Sequence, residues 1–218
     1  MTEQGKRSLW WGLALLLAFG LMTAAVLWVD VQPAGVNSTN IGFATLNGWF
    51  HQLTGVHMAL YTVTDWLGLV PIAVCMVFGA VGLVQWIRRR RIARVDRDIL
   101  LLGAYYVLVI GAYLVFEMIP INYRPVLIDG AMEASYPSST TLLVLSVMPT
   151  LWFQAGRRVK NSGALWAIRV FAAAFSIFMV AGRTVAGVHW LTDIVASVLL
   201  SAGLYLLYRG AVLRTETT

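Results

Sequence analysis

The chain has 218 residues, of which 59% are hydrophobic and 12% charged, with a formal net charge of +6 and a mean hydropathy of +0.75. Soluble domains run at roughly 45–50% apolar and about 25% charged, so this composition excludes a water-soluble enzyme and points to a membrane domain. At about 20 residues per crossing there is room for about five to seven transmembrane helices and little else, and the single cysteine, Cys75, excludes an intrachain disulfide or a cysteine-ligated metal.

Six apolar segments follow in chain order, at residues 9–29, 66–87, 99–116, 138–155, 164–181 and 190–208. Lys6 and Arg7 precede the first, but its apolar core is about twice signal-peptide length and no small-x-small site follows, so it is read as a retained anchor. Residues 30–65 begin polar and then carry Phe43, Leu46, Trp49, Phe50 and Leu53 at roughly helical spacing, which predicts a helix lying at the membrane interface. His51 and His57 fall in the same stretch and are read as interfacial or exposed, with a second option that one folds over a site as an acid. The expected fold class is all-α: an integral membrane bundle of six transmembrane helices plus that interfacial helix, with residues 1–218 forming one domain.

Six crossings put both termini on one side, together with residues 88–98 and 156–163. Counting Arg169, which can snorkel back, that side holds 14 of the 16 basic residues. The positive-inside rule then predicts a multi-pass cytoplasmic (inner) membrane protein with both termini in the cytoplasm. It accounts for the net charge without a nucleic-acid partner.

The two remaining basic residues, Arg124 and Arg183, fall on the outer side at membrane boundaries, where charge is expensive. Glu117, Asp129 or Glu133 would pair with them in one reading; in the other they bind phosphate, to which arginine presents a planar fork of donors. Around Arg183 the chain reads Gly-Arg-Thr-Val-Ala-Gly-Val-His-Trp-Leu-Thr-Asp over 182–193. His189 and Asp193, four apart at the start of the last predicted helix, share a face, so the carboxylate can hold one imidazole nitrogen while the other points at a substrate. A histidine held in this way serves as a nucleophile or base. Residues 121–125 read Ile-Asn-Tyr-Arg-Pro, and Tyr-Pro-Ser-Ser-Thr-Thr over 136–141 opens the fourth helix. Such a start leaves backbone N–H groups and the positive end of the helix dipole outward, as a phosphate cradle or simply as an N-cap with hydroxyls. No His/Asp/Glu cluster has metal-ligand spacing, so neither metal nor cofactor is expected.

These strings resemble the signatures of the type 2 phosphatidic-acid phosphatase superfamily, which includes integral-membrane lipid-phosphate and prenyl-diphosphate phosphatases. Arg183-x5-His189-x3-Asp193 is similar to the third signature, Arg124-Pro125 to the end of the first, Lys-x6-Arg-Pro, and Pro137-Ser138 to the beginning of the second, Pro-Ser-Gly-His. The resemblance implies a two-step phosphoryl transfer without metal, in which His189 becomes a phosphohistidine and Asp193 orients it. Arg124, Arg183, Ser138, Ser139 and nearby backbone N–H groups would neutralise the transferring phosphoryl oxygens, where the outer leaflet meets water.

Three positions depart from the family pattern. Glu117 stands where the family has a phosphate-binding Lys, Gly182 where it has Ser, and Thr140 where it has the His that protonates the leaving group. Glycine keeps its N–H, but a threonine hydroxyl is too weak an acid to replace imidazole, and an ionised Glu117 repels phosphate unless paired or neutral. Two functions therefore remain: a phosphatase or phosphotransferase on lipid-linked phosphates, expected to favour lipid diphosphates, or a catalytically degenerate lipid-phosphate-binding or transport protein on the same scaffold. The retained His189 and Asp193 favour the first.

Overall fold

The computed structural model describes residues 2–215. Their helices are α1 (Glu3–Trp28), α2 (Ala44–Thr54), α3 (Met58–Leu67), α4 (Leu69–Arg89), α5 (Arg97–Met118), α6 (Ser139–Arg158), α7 (Ser162–Val185) and α8 (Leu191–Thr215). Among the described residues there is no strand, only three isolated bridges, so the architecture is an all-α membrane bundle. α1, α3 with α4, α5, α7 and α8 are each long and apolar enough to cross a membrane.

α6 is the exception. It has the length of a crossing, but carries Ser146, Pro149, Thr150 and Gln154. It lies against α4, α5, α7 and α8, and Ser146, Thr150 and Gln154 are fully buried. Two of these side chains find partners there, the Thr150 hydroxyl 2.7 Å from that of Tyr106 and Gln154 donating to the Tyr208 hydroxyl, and the Ser146 carbonyl accepts the Tyr105 hydroxyl at 2.9 Å. A helix sheltered from lipid needs a less apolar surface than its neighbours.

α1 and α8 run antiparallel in the most extensive helix contact of the molecule. A Cβ at Gly12 would stand 3.0 Å from the Gly203 carbonyl, and one at Gly210 would stand 3.1 Å from the Gly5 carbonyl. Small residues seven apart on both helices thus allow backbone approach, as in other membrane helix pairs. Ser8 adds a hydroxyl bond of 2.8 Å to the Leu206 carbonyl. At the same end, Arg157 and Arg158 reach Asp98 at 3.0 and 2.9 Å, gathering the basic loops together.

One expectation is corrected at the opposite end. The second apolar helix starts at Met58 rather than at residue 66, because Tyr61, Thr64 and Asp65 lower the local hydropathy while Thr64 is buried in the bundle. α2 does form where the aromatic spacing put it, but it is docked by buried Asn47. The Asn47 amide donates to the Thr192 hydroxyl at 3.0 Å and accepts the Thr192 N–H at 3.2 Å, capping the first turn of α8. Leu46, Trp49 and Leu53 remain on its exposed side.

Candidate active site

Three parts of the chain meet at the end of the bundle away from the basic loops. The first is a hairpin between α5 and α6. Ser135 N–H donates to the Asn122 carbonyl at 2.9 Å, Arg124 N–H to Glu133 at 3.1 Å, and Ile128 and Ala131 exchange bonds of 3.0 and 2.8 Å. Asp129 and Gly130 between them both have positive φ, 49° and 78°, the requirement of a tight type I′ turn. Buried Ile128 seats the hairpin against Ala186 and Val188 in the loop joining α7 to α8.

That loop is the second part. Gly187 has φ +70°, and a Cβ there would fall 1.8 Å from the Gly55 carbonyl, so no larger residue fits. The Ala186 carbonyl accepts the His57 N–H at 3.0 Å, tying the loop to the start of α3. α3 itself is the third part, presenting Tyr61, Thr64 and Asp65.

His189 lies just before α8 rather than within it, and is 4% exposed. Its Nδ1 is 3.2 Å from the Ser135 carbonyl and its Nε2 is 3.4 Å from Arg183 Nη2. A carbonyl only accepts, so Nδ1 carries the proton and Nε2 keeps its lone pair on the arginine side. Burial, reinforced by the positive charges of Arg124 and Arg183, holds the His189 pKa well below 6.5, which keeps the ring neutral at neutral pH.

Asp193 is close to His189 but does not hold it in the way the sequence spacing suggests. Its Oδ2 is 3.7 Å from His189 Nδ1, beyond hydrogen-bond length, and instead accepts the Trp190 N–H at 2.9 Å. As the third residue of α8, it reaches back to cap the helix. The direct orienting bond comes from the Ser135 carbonyl, while the buried Asp193 carboxyl lies behind the ring.

Arg124 and Arg183 converge on one aromatic ring. Their guanidinium carbons lie 5.7 and 4.8 Å from the Tyr61 centroid. Arg124 Nε is 3.0 Å from Glu133 Oε2, and Arg183 Nη1 is 3.6 Å from Asp65 Oδ1 and 3.4 Å from Thr64 Oγ1. Glu133 thus takes the pairing that Glu117 and Asp129 were also eligible for. Arg124 Nη1 and Arg183 Nε have no hydrogen-bond partner among the described residues although both are buried.

The start of α6 is tied to this cluster through Ser138, whose N–H donates to the Asp193 carbonyl at 3.2 Å and whose hydroxyl donates to Thr141 at 3.1 Å. Ser138 is the N-cap residue without a side-chain cap bond, and among the described residues the first-turn N–H groups of Ser139, Thr140 and Thr141 have no partner. Ser139 and Thr140 line a groove of about 320 Å³ with Gly68, Ile72, Val109 and Tyr113. Glu117, exposed at the end of α5, lines a small neighbouring pocket with Tyr113, Tyr136 and Ser139, apart from both arginines. His51 rests 5.6 Å from the Trp190 ring, and exposed His57 donates from Nε2 to the Thr54 carbonyl at 2.9 Å. Among the described residues no group of three or more His, Cys, Asp or Glu side chains could hold a metal.

Sequence reasoning missed Ser135, Asn122, Tyr61, Thr64 and Asp65. Ser135 acts through its carbonyl, which no residue type advertises. The Asp129-Gly130 dipeptide was the available sign of the hairpin that positions it.

The PAP2 superfamily model matches residues 120–215. No curated protein matches the chain. Among solved structures, the chain is similar to the first transmembrane PAP2-type phosphatidylglycerolphosphate phosphatase from Bacillus subtilis, with a TM-score of 0.65 at 16% identity over 93% of this chain and 96% of that one. At that identity the likeness is one of fold. The segment matched by the PAP2 superfamily model carries the hairpin and α6 to α8, with Arg124, Ser138, Arg183, His189 and Asp193 on it, so the likeness to that superfamily falls on the part of the chain that holds the candidate site.

Proposed function

We propose that this membrane protein is a metal-independent phosphatase or phosphotransferase of lipid-linked phosphates, with polyprenyl or similar lipid diphosphates preferred, acting at the outer membrane face through a phosphohistidine on His189. The observation that carries the reading is the lone pair of His189 Nε2, set by the Nδ1 bond to Ser135 and adjoining two buried arginines with unfilled donors. A neutral imidazole beside concentrated positive charge suits attack on a phosphoryl group. The fold likeness to a phosphatidylglycerolphosphate phosphatase supports the lipid-phosphate class.

In the first step the Nε2 lone pair attacks the terminal phosphorus, the N–P bond forms, and the P–O bond to the leaving group breaks with its electron pair on oxygen. Charge growing on the imidazole is met by the Ser135 carbonyl and Asp193, and that on the phosphoryl oxygens by Arg124, Arg183 and the free N–H groups of α6. Thr140 matters here. A lipid monoester leaves as an alkoxide, which needs a proton from a general acid worth about 10²–10⁴-fold, whereas a lipid diphosphate leaves as a phosphate, a far weaker base. Loss of the imidazole therefore costs the diphosphate reaction least.

Initial rates with chelator present, on a prenyl diphosphate and on phosphatidylglycerophosphate, test this. The parent should prefer the diphosphate, and Thr140→His should raise monoester turnover more than diphosphate turnover. A parent that prefers monoesters, with the ratio unmoved by Thr140→His, would overturn the substrate assignment. The competing reading, a binding protein without catalysis, draws on the pairing of Arg124 with Glu133; it requires tight lipid-phosphate binding with no turnover of either class.

A further inference from the structure

Once His189 is phosphorylated, a second step must deliver water to the phosphorus, and Thr140 supplies no imidazole to take the proton. We propose that Asp65 is the catalytic base of that step, an inference that rests on the phosphohistidine reading above.

Two independent observations place it. Arg183 bridges the two groups: its Nη2 lies 3.4 Å from His189 Nε2 and its Nη1 lies 3.6 Å from Asp65 Oδ1. The carboxylate and the attacking nitrogen thus flank one guanidinium, each against a different terminal nitrogen, so a phosphoryl group bound on Arg183 would have both within its surroundings. The turn that ends α3, three residues on from Asp65, also meets Thr140. The Gly68 N–H donates to the Asp65 carbonyl at 2.9 Å, and a Cβ on Gly68 would lie 3.8 Å from Thr140 Cγ2. α3 therefore ends, one turn beyond Asp65, beside the position where the second signature has its histidine.

Its surroundings suit a base rather than a buried structural partner. The side chain is 57% exposed while Arg183 is 1% exposed, so water reaches the carboxylate but the cation stays at low dielectric. The other candidates are held more closely or elsewhere: Glu133 is 3.0 Å from Arg124 and less exposed than Asp65, which stands 3.6 Å from Arg183, while His57 lies on the Thr54 carbonyl and His51 against Trp190. Glu117 sits in a different pocket.

In the proposed step the water oxygen attacks phosphorus, and the new P–O bond forms as P–Nε2 breaks. The electron pair of that bond returns to His189, and the proton lost by water passes to Asp65. Asp65 then releases it to the departing phosphate or to bulk water, restoring the carboxylate and the neutral histidine. No metal, oxidant or co-reactant enters the balance.

The test follows the phosphoenzyme in the full chain in detergent, using farnesyl diphosphate labelled with radioactive phosphorus in the terminal phosphate. Asp65→Asn should form labelled His189 at close to the parent rate, release one equivalent of farnesyl phosphate in a burst, and then lose the label at least about 10²-fold more slowly, in line with removal of a general base. Asp65→Glu should restore part of the decay rate. Asp65→Asn protein whose label decays at the parent rate, or which fails to label because KM has risen, would overturn the role of Asp65 while leaving His189 as nucleophile. Absence of label from both parent and variant during turnover would overturn the nucleophile and this inference with it.

Discussion

Arg124 and Arg183 are the residues whose burial is hardest to account for without a ligand. Two like charges share the Tyr61 ring, each meets a carboxylate that is itself 39% or 57% exposed, and each keeps an unfilled donor. Leaving a buried charge imperfectly paired costs several kcal/mol, so an anion that fills both donors has much to gain. Either Arg→Ala change should lower kcat/KM by roughly 10- to 150-fold, the equivalent of about 1.5–3 kcal/mol for a charge-assisted hydrogen bond. The arginines also hold the His189 pKa down. A depressed pKa keeps the nucleophile neutral as pH falls through 6.5 and loses it only well below, so the acid limb of kcat/KM should lie below pH 6.5. In Arg124→Ala that limb should move up; an unmoved limb on the same substrate would separate the arginine from the histidine. His189, Asp193, Arg124 and Arg183 were legible in the sequence because charge in an apolar chain is conspicuous. Tyr61 was not, since an aromatic near a helix end reads equally well as part of a membrane belt.

At the scale of elements, the close approach of α7 to α3 explains one departure from the family pattern. A Cβ at Gly182 would lie 2.8 Å from Thr64 Cγ2, so this chain has glycine where the third signature has serine. The contact sets how Arg183, the next residue, meets Thr64 and Asp65. Gly182→Ser should therefore overpack the interface at a cost of about 1–3 kcal/mol and raise KM. Thr64→Ser, which removes the obstructing methyl but keeps the hydroxyl, should relieve much of both effects in the double variant; unchanged defects there would show that the contact is not the cause. The long lipid-facing helices were readable from apolar length alone, and even α6 was found by its boundaries despite its polar interior. α3 was not: Tyr61, Thr64 and Asp65 belong to the site, and hydropathy counts them as loop. The hairpin was missed for a similar reason, since four backbone hydrogen bonds between two helices leave little periodicity to detect.

For the whole molecule, the two ends of the bundle carry different chemistry: the arginine loops gather around Asp98 at one end, and α2, α3, the hairpin and the α7–α8 loop enclose His189 at the other. If the basic end is cytoplasmic, a cysteine at Asp129 in a Cys75→Ala background should react with a membrane-impermeant thiol reagent in intact cells, and one at Arg90 should not. The reverse pattern would invert the topology and the leaflet that supplies substrate. The central claim, that His189 becomes covalently phosphorylated at the outer face, can be tested by presenting right-side-out vesicles with an impermeant short-chain prenyl diphosphate labelled in its terminal phosphate. The account predicts an acid-labile, alkali-stable phosphoryl label on the parent chain, absent from a folded His189→Ala variant. Turnover without label, or label that persists in His189→Ala, would contradict it.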